Sequence, residues 1–130
     1  MKYLGIDYGE KRIGVAVSDD DGKFAFAFDV VENKNAKILE YLKNLIVERQ
    51  IGIVVLGLPL GFSMQETKST KRVRNFGYFL KKELGVEIIF QNEVLSSKEV
   101  EKAGSAKKGM IDASSAALIL QSFLDSRELE

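Results

Sequence analysis

Hydrophobic positions alternate with polar or small ones near the start of the chain, and this period of two predicts three β-strands. The strands cover Lys2–Tyr8, Arg12–Ser18 and Phe24–Val31. Short polar turns, Gly9–Lys11 and Asp19–Gly22, connect them. Because such short links leave no room for a crossover, we expect the three strands to form an antiparallel meander.

Helical spacing and continuous apolar runs alternate in the rest of the chain. We predict helices over about Ala36–Arg49, Lys68–Leu84, Ser96–Ala103 and Ile111–Ser126, strands over Ile53–Gly57 and Val86–Phe90, and loops over Leu58–Thr67 and Ala103–Met110. Asn33 or Asn35 is the expected cap of the first helix, and Gly85 is expected to end the second. The element order predicts an α/β fold, with a mixed five-stranded sheet and helices on both faces. Residues 1–130 contain no linker, so we expect a single domain.

The composition excludes several kinds of active site. The 130 residues include neither cysteine nor histidine, which rules out thiolate nucleophiles, imidazole bases and zinc sites that need these ligands. The remaining polar chemistry must come from carboxylates, lysine, tyrosine, hydroxyls or a bound ion. A hard cation held by Asp and Glu oxygens is the natural candidate.

The overall charge does not by itself indicate a nucleic-acid partner, since nineteen basic residues balance nineteen acidic ones. The longest apolar stretch, Ile53–Phe62, is too short to cross a membrane. The chain begins directly with a strand pattern and not with a signal-peptide pattern. We therefore expect a cytoplasmic protein with no membrane partner.

Three carboxylates stand at positions where a sheet could hold ligands. Asp7 ends a strand that is otherwise apolar, Glu93 follows the fifth strand, and Asp112 opens the last helix. Each has a structural alternative: Asp7 could cap the turn after it, Glu93 could be a solvated loop residue, and Asp112 could simply interact with the helix dipole. Asp112, however, heads a stripe of residues at helical spacing that should pack on the sheet: Ala116, Ile119, Leu120 and Phe123.

If the three carboxylates converge at one edge of the sheet, divalent cations would relieve their mutual repulsion. Two metal ions about 3.5–4 Å apart can activate a water and stabilise the leaving oxygen of a phosphodiester. This chemistry needs no histidine, which agrees with the composition.

Basic residues are concentrated near these acids. The cations that we expect to contact a nucleic-acid backbone are Lys11, Arg12, Lys71, Arg72, Arg74, Lys107 and Lys108. The alternative for the helix Lys68–Leu84 is an ordinary solvated face.

Four segments resemble the YqgF/RuvX family of bacterial proteins, in order and over nearly the whole chain. They are LGIDYGEKRIGVAVSD (Leu4–Asp19), VVLGLPL (Val54–Leu60), NEVLSS (Asn92–Ser97) and IDASSAALILQSFLD (Ile111–Asp125). The resemblance implies a ribonuclease-H-like fold related to the RuvC resolvase. It also implies a metal-dependent nuclease with Mg²⁺ or Mn²⁺, two ions, bound by acidic residues. Position by position, the family's metal-binding acids match Asp7, Glu93 and Asp112.

The resemblance also implies a substrate. It favours structured RNA, in 5′-end processing of pre-16S rRNA, with branched DNA and Holliday junction resolution as the alternative. The family's usual Asp-Glu-Arg motif is Asn92-Glu93-Val94 here, which removes a bidentate phosphate partner and a polar neighbour of the site. This departure motivates another alternative, a non-catalytic RNA-binding factor in ribosome assembly.

Two further expectations concern nucleotides and assembly. Gly5–Gly9 also resembles the first phosphate motif of actin-like ATPases and sugar kinases, but those proteins need two such domains, which exceeds this chain. The strand Phe24–Val31 is a candidate edge strand that could pair with a second copy. We accordingly expect a monomer or a weak homodimer.

Overall fold

A computed structural model describes residues 1–94 and 113–128. These residues form five strands, three α-helices and one 3₁₀ turn. The strands are β1 (Lys2–Asp7), β2 (Arg12–Ser18), β3 (Ala25–Glu32), β4 (Ile51–Leu60) and β5 (Glu87–Val94). The helices are α1 (Asn35–Glu48), α2 (Lys68–Leu84) and α3 (Ala113–Glu128), and a short 3₁₀ turn covers Phe62–Met64. The predicted helix Ser96–Ala103 and the loop after it lie outside the described residues.

The five strands form one mixed sheet in the order β3-β2-β1-β4-β5. β1 and β2 pair antiparallel, as do β2 and β3, whereas β4 runs parallel to both β1 and β5. The α/β class, the mixed five-stranded sheet and the antiparallel start are thus confirmed. β1 is the central strand, and β3 is an edge strand as predicted.

The alternation of side chains along β1 divides the core into two layers. Leu4 and Ile6 face α1 and α2, together with Ile13, Val15 and Leu56 from the neighbouring strands. Tyr3 faces α3, where Ala16 and Val55 pack against Ala116, Ile119, Leu120, Phe123 and Leu124. Helices therefore cover both faces, and the predicted apolar stripe of the last helix is buried.

Two glycines allow α3 to lie close to the sheet. A Cβ atom on Gly5 would stand 2.7 Å from Leu120 Cβ, and one on Gly57 would stand 2.6 Å from Ile119 Cδ1. Neither separation is compatible with a larger residue unless the helix or its side chains move.

β4 and β5 are longer than the sequence pattern predicts. The predicted loop Leu58–Thr67 is wrong over its first three residues, because β4 continues to pair with β5 until Leu60 meets Val94. Proline is tolerated at position 59 because β4 has passed its last pairing with β1, at Leu56, and needs no ladder bond on that side.

The helix boundaries mostly agree with the predictions. α2 has the predicted range and ends at Gly85, whose φ of 65° lies in the left-handed region. The predicted cap of α1 is wrong, since Lys34 precedes the helix. Asn33 instead donates from Nδ2 to Gly9 O at 2.8 Å, and its N–H donates to Lys11 O at 2.9 Å. These bonds hold the turn between β1 and β2.

In the part of the chain that the structure describes, no helix is both long and apolar enough to span a lipid bilayer.

Candidate active site

A cavity of about 400 Å³ opens at the carboxyl ends of β1, β4 and β5. Its walls come from the ends of these strands, from the turn after β1, from the first turns of α2 and from α3. The lining residues are Asp7, Tyr8, Gly9, Glu10, Gly57, Pro59, Ser69, Arg72, Val73, Glu93 and Ile119. In open α/β sheets, the carboxyl ends of strands are where ligand groups collect.

Asp7 is the last residue of β1 and lies partly buried at one wall of this cavity. It shares the α3 side of the sheet with Tyr3 and Gly5, since alternate residues of a strand face the same way. On the neighbouring strand it pairs with Gly14. Its neighbours on this side of the sheet are thus two glycines, Gly5 on its own strand and Gly14 on β2.

Glu93 reaches the same cavity from the other side. It lies within β5, paired with Pro59, and it is partly buried. The alternative of a solvated loop glutamate is therefore wrong, because the strand continues four residues beyond its predicted end at Phe90. Ile89 packs against α3, so Glu93, four positions further along the strand, also faces α3.

The structure thus brings two of the three predicted carboxylates to one cavity and one face of the sheet. β4 lies between their strands, so their backbones are separated by two strand spacings, about 10 Å. Gly57, the β4 residue after the partner of Ile6, carries no side chain into this gap. Among residues 1–94 and 113–128, no group of three acidic residues is close enough together to hold a metal.

Asp112 lies outside the described residues, immediately before α3 in the sequence. The course of α3 is defined by its contacts with β1. Ala116 and Leu120 lie over Gly5, whereas the ring of Phe123 is 5.8 Å from that of Tyr3. The helix therefore runs antiparallel to β1, and its N-terminal end lies towards Asp7.

The predicted basic residues are not all at the cavity. Arg72 lines it and forms an ion pair with Glu10, with 2.5 Å between Nη1 and Oε1. Lys11 and Arg12 are exposed in and after the turn at its rim, and Lys71 is exposed beside Arg72 on α2. Lys107 and Lys108 lie outside the described residues.

Arg74 is directed away from the cavity. Its Nε donates to Glu66 Oε1 at 2.8 Å, and its guanidinium lies 5.8 Å from the ring centre of Phe90. The hydrogen bond to Glu66 raises the pKa of the Arg74 guanidinium. Arg72 and Arg74, which the sequence grouped together, therefore have different surroundings.

A pair of threonines fixes the start of α2 beside the cavity. Thr67 Oγ1 accepts from the N–H of Thr70, and Thr70 Oγ1 accepts from the N–H of Thr67. The hydroxyl of Thr70 also donates to Pro59 O, which ties α2 to the end of β4. Sequence reasoning missed this box, because its signature has threonine where glutamate is usual.

Glu10, Ser69 and Tyr8 are further lining residues that the sequence reasoning did not select. The only signal for Glu10 was an acid between Asp7 and two basic residues. Ser69 lies in the first turn of α2. Tyr8 continues the apolar side of β1, and its ring centre lies 4.7 Å from that of Phe76, with the two rings tilted by 45°.

Comparisons with known proteins agree on the kind of protein this chain resembles. A family model described as "RuvX: Holliday junction resolvase" matches residues 1–126. A Mycoplasma mobile protein named "Putative pre-16S rRNA nuclease" is 38% identical over 97% of this chain and 93% of its own length. A Maridesulfovibrio salexigens protein of the same name is 37% identical over 95% of this chain and 98% of its own length.

Solved structures that resemble the chain share its fold at low sequence identity. Thermus thermophilus RuvC aligns with a TM-score of 0.58 and 16% identity, over 98% of this chain and 96% of that one. The Fowlpox virus resolvase in complex with Holliday junction DNA aligns with a TM-score of 0.58 and 12% identity, over 98% and 99%. These likenesses confirm the expected ribonuclease-H-like fold.

Proposed function

The chain belongs to the RuvX family, and from this premise we propose that it is a metal-dependent endonuclease that processes the 5′ end of pre-16S rRNA. Family membership gives the class of reaction: the chain is an enzyme that hydrolyses phosphodiester bonds. The observation that carries the proposal is that Asp7 of β1 and Glu93 of β5 line one cavity and lie on the same face of the sheet.

The donor chemistry of this cavity fits Mg²⁺ or Mn²⁺, which prefer carboxylate oxygens. Asp7 and Glu93 would hold the ions, and Asp112, four residues before Ala116 in the sequence, would complete the set. Divalent ions bound there supply an activated water and stabilise the charge on the leaving oxygen. Two ions would balance three carboxylates that otherwise repel one another.

The other lining residues have roles that need no metal. Arg72 presents a guanidinium at the mouth, which suits a backbone phosphate. Lys11, Arg12 and Lys71 extend this positive rim, and we assign to Lys107 and Lys108 the same role before α3.

Ribosomal RNA is the favoured substrate because the two relatives described above carry the name "Putative pre-16S rRNA nuclease". A second candidate, resolution of Holliday junctions, is favoured by the description of the family model. The two candidate functions differ in the assembly that they require. A resolvase makes two matched cuts and suits a symmetric dimer, whereas rRNA processing does not require a dimer.

The edge strand β3 favours a monomer. Gln121 accepts from the N–H of Ala25 at 2.8 Å and donates to Lys23 O at 2.9 Å. Further along, Asp29 Oδ1 accepts from the N–H of Val30 at 2.8 Å. The N–H groups of Ala25 and Val30, which belong to β3, are thus bound by side chains of this chain, so they are not open to pairing with a second strand. We propose that the whole chain acts as one cytoplasmic domain.

The test is a cleavage assay with Mg²⁺ or Mn²⁺ on a 5′-extended pre-16S rRNA fragment and on a four-way DNA junction. Wild type is compared with Asp7→Asn and Glu93→Gln. We expect wild type alone to cut the RNA, at a rate at least about a thousandfold above either variant, and EDTA to stop it. Asp19→Asn, which changes a carboxylate at the opposite end of the sheet, is the matched control and should cut normally.

Other outcomes would overturn parts of the proposal. Paired symmetric cuts in the junction alone would select the resolvase. Binding of RNA without cleavage at any enzyme concentration would select the non-catalytic assembly factor and direct attention to Asn92 and Val94. If Asp7→Asn strongly destabilised the metal-free protein, Asp7 would be a structural cap of the turn after β1.

A further inference from the structure

One ion pair crosses the mouth of the cavity. Arg72 projects from the second turn of α2 and Glu10 from the turn after β1, and both residues line the cavity that holds Asp7 and Glu93. The two side chains remain 50% and 66% exposed, respectively. The pair is therefore accessible to a ligand arriving from solvent.

The fold does not depend on this pair to hold the two rims in place. The turn that carries Glu10 is fixed by two hydrogen bonds between Asn33 and the carbonyls of Gly9 and Lys11. The start of α2 is fixed by Thr70, which bonds to Thr67 and to Pro59. Since exposed ion pairs contribute little to stability, a ligand that replaced Glu10 as the partner of Arg72 would cost the fold little.

We propose that Glu10 is a specificity-determining residue that occupies the Arg72 guanidinium in the free enzyme and is displaced by a substrate phosphate. Carboxylate and phosphate compete for a guanidinium because both accept the same forked pair of N–H donors. The inference deepens the proposed function and rests on it. Glu10 lowers the affinity for any single phosphate, so binding is productive only when the backbone makes further contacts on the rim.

A second ion pair on the same helix provides a matched control. Arg74 and Glu66 have the same chemistry and are 2.8 Å apart, but neither lines the cavity. Glu66→Gln therefore removes the same charge from the same region of the chain without releasing Arg72.

The experiment measures binding of a fluorescent RNA hairpin in EDTA, so that no cleavage occurs, over a series of salt concentrations. We expect Glu10→Gln to bind about fivefold tighter at low salt, with a salt dependence steeper by about one released counterion. Arg72→Gln should bind about tenfold weaker. Glu66→Gln should remain within twofold of wild type.

The double variant separates displacement from a general effect of charge. If Glu10 acts by occupying Arg72, Glu10→Gln should have little effect in the Arg72→Gln background. A gain that persists in that background, or an equal gain from Glu66→Gln, would overturn the proposal. Circular dichroism of each variant checks that the fold is unchanged.

The outcomes also distinguish this proposal from the proposed function. If wild type cleaves RNA but Glu10→Gln leaves affinity unchanged, the role of Glu10 is wrong and the nuclease assignment remains. If wild type cleaves neither substrate but the gain depends on Arg72, the role of Glu10 is supported and the proposed reaction fails. If no variant binds the hairpin although its fold is intact, the role of Glu10 is overturned, and the cleavage assay decides the proposed function separately.

Discussion

The two faces of the sheet are built from residues of different size. Under α1 and α2 the sheet presents large side chains, such as Leu4, Ile6 and Leu56, all completely buried. Under the N-terminal half of α3 it presents Gly5, Ala16 and Gly57, against which the helix lies in close contact. Both cavity carboxylates are on this second face. The comparison indicates that one face supplies most of the core while the other brings a helix terminus close to the ends of the strands.

The largest effect on stability should come from the face with large side chains. Leu56→Ala removes a fully buried side chain between the sheet and the helices, and should lower the free energy of unfolding by about 3 kcal/mol. Urea denaturation measures this loss. Cleavage per folded molecule should remain near that of wild type, because Leu56 does not line the cavity and the two carboxylates face the other side of the sheet. A loss of cleavage much larger than the loss of folded protein would contradict the division between faces.

A smaller loss of stability on the α3 face should have a larger effect on activity. Gly5→Ala places a Cβ atom 2.7 Å from Leu120 Cβ and 3.0 Å from Ala116 O, and a backbone oxygen cannot move aside by a change of rotamer. We expect the free energy of unfolding, measured by urea denaturation, to fall by about 2 kcal/mol. Cleavage should fall at least tenfold in the folded protein, because α3 must shift away from the strand that carries Asp7.

The control for Gly5 is Gly52→Ala. Its new Cβ atom would meet the flexible side chain of Met1 at 3.0 Å, so the protein should retain its stability and cleavage. Normal cleavage by Gly5→Ala would show that the close approach of α3 is not needed for the reaction.

The next effect concerns the connection between α2 and the end of β4. Thr70→Val keeps the shape of the buried side chain but removes the hydroxyl that bonds to Pro59 and Thr67. We expect the free energy of unfolding, measured in urea, to fall by about 1 kcal/mol. RNA binding should also weaken, because this turn positions Ser69 and Arg72. Thr70→Ser, which retains the hydroxyl, should recover binding, and a failure to recover would assign the defect to lost packing.

Local patterns were sufficient to predict most of the fold. The alternation in β1 predicted a strand, and the structure confirms it, since Leu4 and Ile6 pack in one core layer and Tyr3 packs in the other. The pattern failed where pairing between distant strands decides the boundary. β4 and β5 extend each other up to Leu60 and Val94, and no local period shows that.

The candidate site was predictable in part. Asp7 and Glu93 were predictable because a carboxylate at the end of an apolar strand must be hydrogen-bonded, paired with a cation or bound to a metal. Glu10 was not selected, because an acid in a polar turn has no distinguishing local signal and acquires a role only when α2 brings Arg72 opposite it. For the same reason the sequence grouped Arg74 with Arg72, although packing turns Arg74 towards Phe90 and Glu66.

The smallest effect should come from the end of the sheet opposite the cavity. Asp19 follows β2 and accepts hydrogen bonds from the N–H groups of Phe24 and Lys23, which lower the pKa of its carboxyl. A carboxyl whose pKa is lower in the folded state than in the unfolded state stabilises the fold above its unfolded pKa. This stabilisation is lost as the pH falls through the lower, folded value.

Asp19→Asn should therefore be slightly less stable than wild type at neutral pH. The difference should shrink as the pH falls below the ordinary carboxyl pKa of 3.8, and it should disappear once the pH is below the lowered pKa of the folded state. Urea midpoints between pH 2 and pH 7 measure the trend, and cleavage at neutral pH should be unchanged. A difference that persisted at pH 2 would mean that the side chain acts by its shape and not by its charge. A loss of cleavage would mean that the two ends of the sheet are coupled, in which case the site could not be assigned to the α3 face and its adjoining strand ends alone.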